Sequence, residues 1–510
     1  MIVNLYYTPY PCQQFAGIES PISPVRTNVP KSTFETLVAG ADSFLRQDNI
    51  EVDFKIYNMQ LEEGKEKYKS FYYGDRQVEC YRVGASFEKY ENIINNTMIH
   101  CVSNNFTNSA SIVTDFVKYI KKVNPTAIVI AGGIDISARP QYYIRSGVDY
   151  IILSEGEWSF YMLLKSLITH KDVTSLLPTV RYGNGIIIQK AAPIDINLLP
   201  PMRLDLVSNL QKYTDTGEGQ PPSNVRSPFL CWETSRGCDN KCSYCATPMR
   251  GAYRHMNANT VRKHATYYQQ MGIRNLLFQE DNILSRLASR DPKLAEAGRR
   301  EIIDIFTLLK EMGFSWEFAN GLEFGKFLKD GSLDIELMES LLWNNPKFDW
   351  QGCYRVQISL EYLDPIDQKS LPKLRRLEEQ IYILKTILDL GVYNITFNVI
   401  IGNPNDSIEK IDRYMKYCEN IKDRLISYNS NANIYFNIYN KALLPGSADF
   451  LHQTDKLQFD IEQIPEVISL YFSAMNTKHM TYFELFKKRI EFTSKINGEK
   501  IELYDKIWHE

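Results

Sequence analysis

Residues 233–245 read Glu233-Thr-Ser-Arg-Gly-Cys238-Asp-Asn-Lys-Cys242-Ser-Tyr-Cys245. Three residues separate the first two sulfurs and two separate the last pair, and no fourth cysteine or histidine follows at zinc-finger spacing. Three thiolates leave one metal position open. A structural zinc site closes all four tetrahedral positions, whereas an iron-sulfur cubane held by three cysteines keeps one iron free to bind something else. A zinc knuckle would have to borrow Cys231 or His255.

The cysteines follow Phe229 to Thr234, a strand, and the alternation continues through strands at Asn275 to Gln279, Trp316 to Ala319, Val356 to Glu361, Ile395 to Ile401 and Asn433 to Tyr439. Helical stretches at Thr260 to Met271, Arg300 to Met312, Ile335 to Leu342 and Leu377 to Leu390 fall between them. Six strands with their helices predict a partial (β/α)6 barrel, whose chemistry lies on the loops after the strands. Upstream, the Gly- and Pro-bearing stretch Thr214 to Pro228 reads as a linker. Before it, strands at Met1 to Tyr7, Glu51 to Tyr57, Met98 to Ser103, Ala127 to Ala131 and Tyr150 to Leu153 predict an α/β, doubly wound Rossmann-like domain. A crossover helix begins after Ser109, which stands where a cap belongs, and Asn124-Pro125 breaks it. The expected organisation is therefore a doubly wound domain over 1–195, a linker over 196–228, the barrel over 229–450 and a helical, aromatic-rich segment over 451–510.

A chain of 510 residues is too long for one core. Its 44% apolar and 23% charged content is ordinary for a globular protein, and a net charge of −3 argues against a surface built to neutralise phosphates, so nucleic acid is not expected as a partner. Nine cysteines form no disulfide framework; Cys12, Cys80, Cys101, Cys231, Cys353 and Cys418 read as small buried hydrophobes. The start MIVNLYYTPYPCQQ lacks a secretory pattern, no apolar run reaches membrane-spanning length, and a reducing cytoplasm is the expected location.

The cysteine run, with the aromatic Tyr244 before its last member, resembles the radical S-adenosylmethionine (SAM) superfamily. The resemblance implies that Cys238, Cys242 and Cys245 hold a 4Fe-4S cluster whose free iron chelates SAM. An electron from an external donor such as flavodoxin or ferredoxin then splits the sulfonium to give a 5'-deoxyadenosyl radical. It implies further that Glu280 and Asp281, in Phe278-Gln-Glu-Asp-Asn282, meet the SAM amino group, although a capped loop fits that motif equally well. Ser359 and Glu361, in Gln357-Ile-Ser-Leu-Glu361, would reach the ribose or carboxylate, and the backbone at Ile401-Gly402 would lie against adenine. Leu443-Leu-Pro445-Gly446-Ser447 matches the turn after the sixth strand. Arg236 and Lys241 read either as partners of the cluster charge or as solvated surface.

The first domain carries Ser103, then Gly132-Gly133 a helix later, then Gly147-Val-Asp149 and Glu155-Gly156-Glu157, with Ser154 in place of a further glycine. This set resembles the cobalamin-binding domain that precedes the barrel in one branch of that superfamily, and paired glycines leave room for a bulky ring. A degenerate domain without cofactor is the bland alternative. Branches that ligate cobalt from below use Asp-x-His-x-x-Gly; here Asn58-Met-Gln60-Leu-Glu-Glu-Gly64 has no histidine. The resemblance therefore implies methylcobalamin without a histidine ligand, and a methyltransferase acting on an unactivated carbon of a small molecule or peptide bound where the two domains meet. A cyclase or rearrangement enzyme shares the same parts. A tRNA methylthiotransferase would need three further N-terminal cysteines, for which only Cys12, Cys80 and Cys101 are on offer.

Overall fold

A computed structural model of the chain describes residues 1–214, 228–329, 331–345, 351–360 and 377–498. It divides into two compact units, one of Met1–Lys212, Lys241–Gly251 and Ala442–Ala474, the other of Tyr213–Asn240, Ala252–Lys441 and Met475–Glu510. No helix among the described residues is long and apolar enough to cross a membrane.

The first unit contains β1 (Ile2–Tyr7), β2 (Tyr10–Phe15), α1 (Thr33–Gln47), β3 (Asp53–Asn58), β4 (Lys65–Tyr73), β5 (Arg76–Val83), β6 (Ile99–Ser103), α2 (Ala110–Val123), β7 (Ile128–Gly132), β8 (Tyr150–Ile152), α3 (Glu157–Thr169), β9 (Thr179–Tyr182) and β10 (Gly185–Ile188). Its main sheet runs β3-β1-β6-β7-β8-β10-β9 and is parallel except for β9. Both faces are covered, which is why its strands read as nearly unbroken apolar runs. Val3 and Leu5 pack with Phe34, Val38 and Leu163 from α1 and α3, while Tyr6 and Val102 pack with Val113, Phe116 and Val117 of α2. The chain leaves β1 for β3 on one side and later enters β6 on the other. The loops after β1 and β6 diverge, and such a switch point is where open sheets of this type bind ligands.

Ser109 stands at the N-cap of α2 but makes no side-chain cap bond, because a 3-10 turn over Thr107–Ser109 already feeds the helix. A second sheet, β2-β5-β4, is antiparallel and carries a late part of the chain. The Tyr73 hydroxyl donates to the Ser473 carbonyl at 2.9 Å and accepts the Ser473 N–H at 3.1 Å. Buried Glu466 accepts from Lys69 at 2.9 Å and from Tyr68 at 3.1 Å.

The second unit contains β11 (Phe229–Trp232), α4 (Ala258–Gln270), β12 (Asn275–Phe278), α5 (Pro292–Glu311), β13 (Ser315–Leu322), α6 (Ile335–Leu342), β14 (Gln351–Ser359), α7 (Leu377–Asp389), β15 (Asn394–Ile401), α8 (Ile408–Tyr428), β16 (Asn433–Asn440) and α9 (Tyr482–Asn497). The six strands follow chain order and are all parallel, and among the described residues none of the pairings joins β16 to β11, so the barrel is open. Helix starts are written in the sequence: Asn257, Asp291, Asp334 and Ser407 each accept a backbone N–H, and Thr481 with Glu484 forms a capping box. The edge of β16 is closed by Asn497, whose side chain accepts from Phe436 N–H at 3.0 Å and donates to its carbonyl at 2.9 Å.

Candidate functional site

After β11 the chain forms a two-residue ribbon, Ser235–Arg236 against Arg254–His255, and then enters the cysteine loop. Glu280 and Asp281, at the end of β12, hold that entrance. The Glu280 carboxylate accepts the Thr234 N–H at 2.7 Å and the hydroxyls of Thr234 and Ser235. Burial pushes the Glu280 carboxyl up from its ordinary range, against the opposing pull of Arg286 and these donors. Asp281 accepts the N–H of Gly237 at 2.7 Å, where a φ of 84° gives the turn a conformation that glycine adopts without strain. The structure thus gives these two carboxylates loop-anchoring partners.

All three loop cysteines are half-buried, whereas the other six are buried. Cys238 Sγ receives the Asn240 N–H at 3.4 Å and the Asn282 side-chain amide at 3.7 Å. Cys245 N–H donates to the Cys242 carbonyl at 3.1 Å, and Cys245 Sγ receives the Thr247 N–H at 3.4 Å. Such N–H groups suit anionic sulfur. The division between the two units falls between Asn240 and Lys241, inside this loop.

Four residues that sequence reasoning left unassigned clamp the Cys238 end. Lys326 donates to both Asp239 oxygens, at 3.0 and 2.9 Å, and lies 3.1 Å from Glu323. Glu323 accepts from Asn240 at 2.8 Å and from Asn282 at 2.9 Å, while the Ser285 hydroxyl donates to Asp239. Burial alone would raise the Asp239 carboxyl; the Ser285 and Lys326 bonds outweigh it and leave the group below its usual range. Asn282 directly follows Glu280-Asp281 and was open to a sequence reading. Glu323 and Lys326 reach the loop only through the fold.

Of the other barrel candidates, the Ser359 hydroxyl lies over Gly321 of β13, where an added Cβ would come within 2.6 Å of it. Glu361 lies outside the described residues. Ile401 is buried at the end of β15, its carbonyl accepts Lys441 N–H at 2.7 Å, and the next two N–H groups, of Gly402 and Asn403, both donate to Asp406 at 2.9 Å. Tyr244 is half-buried. Arg236 pairs with Glu233 at 3.3 Å and Lys241 is exposed. A further polar row also escaped the sequence: Gln357 at 3.0 Å and Asn437 at 3.1 Å both donate to Asn398 Oδ1, crossing three neighbouring strands.

In the first unit, Ser103 and Gly132 are register partners at the carboxyl ends of β6 and β7. The two glycines differ. At Gly133, with φ of 114°, an added Cβ would meet the Asn104 carbonyl oxygen at 2.4 Å, so the fold itself demands glycine. At Gly132 an added Cβ would make only ordinary contact, 3.6 Å from the Ile152 carbonyl oxygen, so packing there does not demand glycine. Beneath these loops buried Asp135 accepts from Thr107 at 2.5 Å, from Arg139 at 2.7 Å and from Tyr143, and Tyr143 in turn accepts from Asn104 at 2.7 Å. Ser154, where a glycine was expected, has a φ of 66°, and half-buried Glu155 and Gly156 lead from it into α3. Gln60 donates to the Thr8 carbonyl at 2.8 Å in the loop after β3.

Residues 232–418 match the family model for the Radical SAM superfamily. They form a radical SAM domain. Cytidylyl-2-hydroxyethylphosphonate methyltransferase of Streptomyces wedmorensis is 23% identical over 352 residues, 62% of this chain and 61% of its own. The cobalamin-dependent radical SAM methyltransferase TokK of Streptomyces tokunonensis is 28% identical over 135 residues, 25% of this chain and 19% of its own. The ribosomal protein uS12 methylthiotransferase RimO of Clostridium tetani is 23% identical over 225 residues, 41% of this chain and 45% of its own. Among solved structures, the cobalamin-dependent SAM radical enzyme OxsB, with aqua-cobalamin and SAM bound, superposes with a TM-score of 0.64 at 13% identity, covering 96% of this chain and 65% of OxsB. That likeness is one of fold. The chain spans less than two thirds of each of these relatives.

Both residues that a zinc knuckle would borrow are engaged elsewhere. His255 lies 2.8 Å from Glu301, and Cys231 donates to Gln279 at 2.9 Å. Among the described residues no three His, Cys, Asp or Glu side chains converge on a point suited to a single metal ion; a cluster does not require that, since it takes each thiolate on a different iron.

Proposed function

We propose that the chain is a cobalamin-dependent radical SAM enzyme that transfers a methyl group to an unactivated carbon of a small-molecule or peptide substrate. The observation that carries this reading is a radical SAM domain joined in one chain to a doubly wound α/β unit, with a fold likeness to OxsB over 96% of the chain. Two relatives described as methyltransferases, one of them cobalamin-dependent, support the transfer.

The residues fit the groups this reading requires. Cys238, Cys242 and Cys245 would hold the 4Fe-4S cluster, their accessible thiols backed by N–H donors at Cys238 and Cys245. The side-chain-free position at Gly132 beside Ser103, close to the β1/β6 switch point, would serve as a cradle for a cobalamin ring, since packing there does not itself demand glycine. The loop after β3 presents Gln60 instead of an imidazole, so the lower cobalt face would lack a histidine. When bound, the cluster with SAM supplies a hydrogen-abstracting radical and cobalamin supplies the methyl group. The chain's own work is positional: Glu280 and Asp281 fix the cysteine loop, and the row Gln357, Asn398, Asn437 offers polar groups for orienting a ligand. A cytoplasmic flavodoxin or ferredoxin would deliver the electron.

The test is product analysis with methyl-labelled SAM and candidate substrates. Label in the product, with both 5'-deoxyadenosine and S-adenosylhomocysteine released, is the expected result; unlabelled product with deoxyadenosine alone would move the assignment to a cyclase or rearrangement enzyme. The RimO likeness favours methylthio transfer as a second reading. Against it, Cys12, Cys80 and Cys101 are each buried in strands β2, β5 and β6, and burial pushes each thiol up, away from the thiolate a second cluster needs.

A further inference from the structure

Asn282 is 7% exposed and sits among three acceptors. Its amide nitrogen lies 2.9 Å from Glu323 Oε2, 3.3 Å from Asp239 Oδ1 and 3.7 Å from Cys238 Sγ. Its carbonyl oxygen is buried and has no partner. Turning the amide over would bring that oxygen against two carboxylates and a sulfur, all acceptors, so electrostatics fixes which end faces Cys238. The Asn240 N–H already points at the same sulfur from within the loop. Cys238 Sγ therefore lies near two N–H donors, the Asn240 backbone at 3.4 Å and, from outside the cysteine run, the Asn282 amide at 3.7 Å, whose two hydrogens are shared among three acceptors.

We infer that Asn282 is a positioning residue that raises the reduction potential of the cluster through its N–H···S bond to Cys238. The inference rests on Cys238 being a cluster ligand. Reduction gives the cluster the one electron that an external low-potential donor loses, and the added negative charge spreads onto the thiolate sulfurs. An N–H dipole aimed at sulfur stabilises the more negative state more strongly, and hydrogen bonds of this kind are among the features that set cluster potentials. The carboxylates of Asp239 and Glu323 act in the opposite sense, and Lys326, bonded to both, offsets them. Asn282 and Lys326 thus favour the reduced cluster where Asp239 and Glu323 disfavour it.

The experiment compares anaerobically reconstituted wild type, Asn282→Leu, Asn282→Ser and Glu323→Gln. Iron content and the visible spectrum establish loading, and EPR-monitored titration with dithionite gives the potential. Both Asn282 variants should lower the reduced-to-oxidised ratio at fixed potential about tenfold, which is about 59 mV for a one-electron couple. Glu323→Gln should shift it the other way, a difference of sign that mere bracing of the loop does not produce. Wild type labelled with ¹⁵N in asparagine side chains should also show a nitrogen coupling to the reduced cluster by electron spin-echo spectroscopy. Unchanged potentials in a loaded Asn282 variant, or no such coupling, would overturn the inference. Wild type that takes up no iron would instead overturn the cluster reading.

Discussion

Cys238, Cys242 and Cys245 were legible because their message is local: a spacing that spans seven residue steps decides how many metal positions remain open. The groups that hold them were not, because Glu323 and Lys326 lie more than eighty residues away and meet Asp239 and Asn240 only once β13 is folded beside β12. Replacing any one of the three cysteines with alanine should abolish a stable cluster, measured as iron per chain after reconstitution. Asp239 adds a pH dependence. Its carboxyl is depressed, so its contribution to stability is present above the ordinary aspartate value of 3.8 and lost as the pH falls below it through the folded value. Thermal unfolding of the apoprotein should therefore steepen in its pH dependence below 3.8 for wild type, and less so for Asp239→Asn. The identical slope in both proteins would show that Asp239 contributes nothing there.

At the scale of elements, helix caps and strand runs could be read directly, since each depends on neighbours in sequence. Asp334 illustrates this: it caps α6 by accepting the Leu337 N–H at 3.2 Å and pairs with Arg299 at 2.6 Å. Asp334→Ala should cost about 1–2 kcal/mol in denaturant unfolding. The Gly132-Gly133 pair was legible as a pair, but the two positions carry different meanings that only the packing separates. Gly133→Ala should destabilise the apoprotein by about 3 kcal/mol or more, because its Cβ has nowhere to go. Gly132→Ala should leave unfolding within about 1 kcal/mol of wild type and weaken hydroxocobalamin binding, followed by its visible spectrum. Strong destabilisation by Gly132→Ala would remove the cradle argument.

For the whole molecule, the two α/β patterns were readable because parallel sheets buried on both faces write themselves as apolar runs separated by amphipathic helices. The antiparallel sheet β2-β5-β4 was not: β4, Lys-Glu-Lys-Tyr-Lys-Ser-Phe-Tyr-Tyr, is polar along most of its length and, among the described residues, pairs only with β5. Nor was the fate of the chain after β16, where residues 442–474 belong with the first unit through Tyr73–Ser473 and Lys69–Glu466, and 475 onward with the second. One chain is predicted to hold one cluster and one cobalamin. The direct measurement is iron and cobalt content, with the visible spectrum, of protein reconstituted anaerobically with iron, sulfide and hydroxocobalamin and then desalted. About four irons and about one cobalt per chain are predicted; a cluster with no retained cobalt, or iron enough for two clusters, would contradict the account.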